Sequence, residues 1–127
     1  VATDNERVNA MVSDICEKLG ILCNRCDNFR EGSFVCGCSL LREPLVCTVM
    51  AGGVPEMAKY LSARIDKLLS PSLLALAGLL VELRPAIKAA RPGEVGTFIA
   101  RLVNDETLAR IEREGISSLR EEILACL

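Results

Sequence analysis

Six of the seven cysteines lie between Cys16 and Cys47, in a chain with no histidine, tryptophan or glutamine. That concentration predicts that a staple or a thiolate cluster organises the first third of the molecule. The absence of histidine removes the side chain used most often as a general base near neutral pH.

Four aromatic residues, Phe29, Phe34, Phe98 and Tyr60, cannot build a core for 127 residues. The interior must come from Leu, Val, Ile and Ala, of which Leu and Ala head the helix propensity scale. A chain of this length buries roughly two-thirds of its unfolded surface, enough for one core. The expectation is a single domain over 1–127, with a Cys-rich loop and hairpin at 20–52 and a helical bundle at 54–127.

Local signals set the elements. Thr3 and Glu6 fit a capping box, and Val8, Met11, Val12, Ile15, Cys16 and Leu19 follow at helical spacing. Gly20 suits a left-handed end, so the first helix is expected over 4–19. Residues 20–32 lack periodicity and read as loop. Residues 33–41 and 45–50 are β-prone and flank Arg42-Glu43-Pro44, which predicts a hairpin. A helix over 55–69 opens at Pro55, and Ser70-Pro71 opens the next.

That third helix carries Leu73, Leu74, Leu76, Leu79, Leu80, Val81 and Leu83, which surround its axis, so it should be central or face a partner. Pro85 should kink or break it near 81–84. Further helices are expected over 94–103, from Asn104 or Asp105 to Glu114, and after a Ser118/Glu121 capping box. The predicted class is mainly α: a five- to six-helix bundle with a small Cys-rich β-hairpin.

Cys23-x-x-Cys26 followed by Cys36-x-Cys38 offers four thiolates, a set that tetrahedral zinc accepts. The second pair is a poorer match, since zinc sites usually repeat CxxC. The competing expectation is disulfides among Cys16, Cys23, Cys26, Cys36, Cys38 and Cys47. At least one is expected to join the first helix or the CxxC region to the hairpin. Cys126 is left over and suits a buried small hydrophobe. A redox dithiol at Cys23/Cys26 is the weakest of these readings, because a strand–CxxC–helix context is lacking.

Gly52-Gly53 has the position of an anion-binding turn, but no GxGxxG or Walker sequence accompanies it, so a structural turn is expected. Glu112, Glu114, Glu121 and Glu122 alternate with Arg110, Arg113 and Arg120 at helix-pairing spacing, which predicts a solvated, salt-bridged face. Arg25, Arg30 and Arg42 are offset by Asp27, Glu31 and Glu43. With a net charge of −2, nucleic acid is not the favoured partner.

No resident cofactor is expected, with zinc as the alternative. The functional expectation is a non-enzymatic structural or assembly protein, such as a filament, coat or nucleoprotein-complex subunit, packing against itself or another protein. A four-cysteine metal-binding interaction module is the second reading, and a thiol redox protein the third. The chain shows no secretion signal and no membrane-spanning run, so a cytoplasmic or virion-associated location is expected. Absent Gln, only five Asn and dense cysteine point to a hyperthermophile source.

Overall fold

The computed structural model describes all residues from Val1 to Leu127. Six helices and one two-stranded sheet follow in the order α1 (Glu6–Lys18), β1 (Cys38–Arg42), β2 (Leu45–Val49), α2 (Pro55–Asp66), α3 (Pro71–Ala90), α4 (Val95–Leu102), α5 (Asp105–Glu114) and α6 (Ile116–Ala125). The chain divides into two compact units. The first contains Val1–Ser39 and Thr48–Ala63, the second Leu40–Cys47 and Arg64–Leu127.

The first unit is held by polar groups more than by apolar packing. Val8, Met11, Ile15 and Leu19, the apolar stripe of α1, stay exposed, while Asn9 on the same helix is fully buried. The cap differs from the expected box. Asn5 is the N-cap and accepts from the backbone N–H groups of Arg7 and Val8. Thr3 is diverted to Asn9, whose Oδ1 accepts the Thr3 hydroxyl at 2.7 Å and the Thr3 amide at 3.1 Å. Gly20 ends the helix with φ +66°, as its position predicts.

The hairpin is shorter than expected. Only Cys38–Arg42 and Leu45–Val49 pair, and the hydroxyls of Ser39 and Thr48 face each other at 3.1 Å across the strands. Cys36 therefore lies outside the paired strand, within the run over 33–41 that was expected to be β. Gly53, with φ +87°, has a structural use: a Cβ there would collide with the Phe29 ring.

In the second unit, Leu76, Leu79, Leu80, Leu83 and Ile87 of α3 are buried with Ile111, Leu119 and Ile123. Val95, Phe98, Ile99 and Leu102 of α4 pack against that cluster with Leu108 and Ile116. α3 is the centre, touching α4, α5 and α6. Ser70 caps it, its side chain accepting from the Leu73 amide. Pro85 does not break the helix, which continues to Ala90. Apolar packing of this helix outweighs the local cost of one missing N–H. α6 starts at Ile116 rather than at Ser118, directly after Gly115 with φ +81°. Bundle-type helix packing is thus confined to α3–α6 and does not include the first unit.

The charged face is present, but its partners are partly non-local. Arg110 Nε pairs with Glu114 at 3.0 Å and its Nη1 with Glu122 at 2.5 Å. Arg120 pairs instead with Glu82 of α3 at 2.5 Å. Glu112 accepts from the buried Ser72 at 2.9 Å. No helix is long and apolar enough to cross a membrane.

Candidate functional site

The most organised polar cluster lies in the first unit, where residues 21–28 run as extended and turning chain after α1. Cys23 and Arg25 alternate inward in this segment, and Arg25 is only 1% exposed. Its Nε donates to Asp27 Oδ1 at 3.1 Å and its Nη2 to Oδ2 at 2.5 Å. The Nη1 group meets Glu31. This is a fork on a carboxylate, the geometry for which guanidinium is suited.

Close backbone approach supports the fork. Ser33 clamps Cys23 from both sides: its hydroxyl accepts the Cys23 amide at 2.6 Å, and its own amide donates to the Cys23 carbonyl at 2.8 Å. A Cβ on Gly32 would stand 2.9 Å from both Arg25 N and Cys23 O, so glycine is needed there. The Cys26 amide donates to the Val1 carbonyl at 3.0 Å, which lays the first residues beside this segment.

The electrostatics follow from that arrangement. The Arg25 guanidinium holds the Asp27 carboxyl well below the usual carboxylate range, against the opposing effect of burial, with a further bond from Asn9. Asp27 in turn raises the Arg25 pKa. A cleft of about 400 Å³ opens beside the pair, lined by Thr3, Asp4, Glu6, Asn9, Asp27 and Asn28. It offers carboxylate and amide oxygens as acceptors, with Asn amide groups as donors. A smaller cavity of about 220 Å³ is lined by Cys23 with Ser13, Glu17, Arg30 and Ser33.

The cysteines do not converge as a metal centre. No group of three or more metal-ligating side chains forms, so Cys23, Cys26, Cys36 and Cys38 are not brought together. Cys23 is buried, Cys38 is half-buried, and Cys26 and Cys36 are exposed. All seven thiols are unbridged. Cys47 is half-buried on β2, and Cys126 is exposed beyond α6 rather than buried.

The sequence reading missed Thr3, Asn9, Arg25 and Asp27 as a cluster. Arg25 was expected on a charge-balanced surface, and Thr3 as a cap. A signal was present in the two-residue alternation of Cys23 and Arg25, which marks extended chain inside the expected loop. Arg42 pairs with Asp66 at 2.8 Å rather than with its sequence neighbour Glu43.

Comparison with known proteins bears on this same region. Residues 1–38 match a family described as "Putative NAD(P)-binding". The chain is 35% identical to siroheme synthase 2 of Klebsiella pneumoniae, over 97% of this chain and 28% of that protein. It is 33% identical to the siroheme synthase of Enterobacter sp., over 97% of this chain and 28% of the relative. For the enzyme of Citrobacter koseri the identity is 32%, over 98% of this chain and 29% of the relative. The chain thus spans less than a third of the length of these relatives.

These matches correct five expectations. The similar proteins are enzymes, which overturns the non-enzymatic, structural and self-assembling reading. An NAD(P)-binding match replaces the expectation of no cofactor. The hyperthermophile source loses its support, since the relatives come from Klebsiella, Enterobacter and Citrobacter. Virion association has none either. Finally, the helical-bundle class is corrected. Although 57% of residues are helical, the first 38 match a cofactor-binding family. The comparisons therefore point to an α/β cofactor-binding type and not to a helical bundle.

Proposed function

We propose that this chain is part of an NAD(P)-dependent, siroheme-forming enzyme, and that residues 1–38 form one wall of its dinucleotide site. The observation that carries this reading is a coincidence. The family match covers Thr3, Asn9 and Asp27, which line the polar cleft of about 400 Å³, together with Arg25, which holds Asp27. A cytoplasmic location goes with the enzymatic reading.

The cleft fits one end of the cofactor better than the other. Ribose hydroxyls and a carboxamide need acceptors and neutral donors, and Asp27 and Asn28 supply both kinds, while Asn9 is held by Thr3. A diphosphate needs backbone N–H groups at a helix start or free cations. Asp4, Glu6 and Asp27 would repel it, and Arg25 is already committed to Asp27 and Glu31. The residues therefore suit the sugar or nicotinamide end, and the diphosphate is to be received by other groups. When bound, NAD(P) supplies the hydride acceptor or donor of the reaction. Arg25 keeps the Asp27 carboxylate ionised and pointed, so that Asp27 can accept a hydrogen bond from a hydroxyl or amide while it stays unprotonated.

Titration of the full-length enzyme with NADH and NADPH, read by nicotinamide fluorescence, tests the reading. Asp27→Asn should weaken binding about tenfold or more, since hydrogen bonds to charged groups contribute ~1.5–3 kcal/mol. Failure of the wild-type enzyme to bind either dinucleotide would end it.

A further inference from the structure

We propose that Asn9 is a positioning residue of the dinucleotide cleft, acting through Thr3: it takes the Thr3 hydroxyl proton and leaves the Thr3 oxygen to receive a donor of the ligand. The inference rests on the cofactor reading and names what that site asks of its occupant. Asn9 is 0% exposed, on a helix whose apolar residues stay exposed. A carboxamide so buried needs partners for its polar atoms, and Thr3 supplies three. Asn9 Nδ2 donates to the Thr3 carbonyl at 2.9 Å, and Asn9 Oδ1 accepts the Thr3 amide at 3.1 Å and the Thr3 hydroxyl at 2.7 Å.

These contacts fix the direction of each proton. A backbone amide only donates and a carbonyl only accepts, so the Asn9 carboxamide has one possible orientation. Its oxygen then faces the Thr3 hydroxyl, and a carboxamide oxygen can only accept. The hydroxyl proton therefore goes to Asn9. The Asn5 carbonyl competes for it from 3.2 Å, longer than the usual O–H···O separation of about 2.7–2.8 Å. With its proton spent, Thr3 Oγ1 keeps lone pairs alone, one of them facing the Asn5 amide at 3.3 Å.

Thr3 and Asn9 line the cleft of about 400 Å³ together with the carboxylates of Asp4, Glu6 and Asp27. An ionised carboxylate also only accepts. Thr3, which could have been a donor, is thus turned to match its neighbours, and this wall receives hydrogens. Its occupant must present donors there, as the hydroxyls of a ribose or the N–H groups of a carboxamide do.

Titration of the full-length enzyme with NADH, alongside its thermal midpoint, tests the role. Thr3→Val deletes the hydroxyl at nearly constant shape and should weaken binding about fivefold, the size of one neutral hydrogen bond. Thr3→Ser should recover most of that loss. Asn9→Ala releases the hydroxyl proton and should also weaken binding about fivefold. Both changes act on one oxygen, so the double variant should lose about fivefold and not the roughly 25-fold of independent changes. The role is overturned if the losses multiply or if Thr3→Val binds as the wild type does. It is overturned equally if Asn9→Ala lowers the thermal midpoint and leaves the NADH affinity unchanged, as a mere fastener of the chain to α1 would. Should Asn9→Ala fail to fold, the two Thr3 variants decide. A wild-type enzyme that binds no NADH or NADPH removes the cofactor reading itself, and the Asn9 role with it.

Discussion

Arg25 and Asp27 stand two residues apart and meet through two parallel bonds, Nε to Oδ1 at 3.1 Å and Nη2 to Oδ2 at 2.5 Å. The chain bends at Cys26, the residue between them. The fork fixes both the charge and the orientation of the carboxylate at the cleft wall.

A pH dependence follows. The Asp27 pKa is depressed in the folded protein, so the unfolded chain binds more protons near the ordinary Asp value of about 4. The stabilisation is present above that range and is lost as pH falls through it toward the folded value. Urea midpoints should therefore decline on acidification below about pH 5. Asp27→Asn should flatten that decline. Arg25→Met should return the Asp27 carboxyl toward its ordinary titration range, as read by carbon-13 NMR of the carboxyl group.

In the second unit, Leu76 is 1% exposed and Val81 of the same helix 63% exposed. Leu76→Ala should cost ~2–5 kcal/mol by the loss of buried methyl groups and the cavity left behind. Val81→Ala should stay within about 0.5 kcal/mol. Denaturant unfolding of the two variants side by side checks the placement of α3.

Two glycines separate conformation from crowding. Both Gly20 and Gly53 have positive φ, but only Gly53 faces a neighbour, the Phe29 ring. Gly20→Ala should carry the conformational cost alone, about 1–2 kcal/mol. Gly53→Ala should lose more, because Phe29 must also move. Equal losses in thermal or urea unfolding would contradict the packing of that ring.

Helix starts give a fourth comparison. Asn104 Oδ1 accepts the Thr107 amide at 2.8 Å, a full N-cap of α5. Asn104→Ala should cost about 0.5–2 kcal/mol. Ser118 lies inside α6 and makes no cap bond, so Ser118→Ala should lose less. A larger loss at Ser118 would restore the capping box that the sequence suggests.

Local chemistry made several parts of this protein legible in its sequence. Gly20, Ser70-Pro71 and Asn104 mark helix boundaries because each acts within one turn of its own position. The all-round apolar surface of α3 announced its central place because burial follows directly from that pattern. The tertiary structure alone decided where polar chains went. Thr3 could cap α1 or bond Asn9, and Asn5 took the cap. Arg120 had sequence neighbours to pair with and found Glu82, which lies 38 residues away. The cleft combines Thr3 and Asn9 with Asp27, groups that carry no joint spacing in the sequence. Burial of Arg25 depends on a carboxylate meeting each end of its guanidinium, and that is a property of folded geometry.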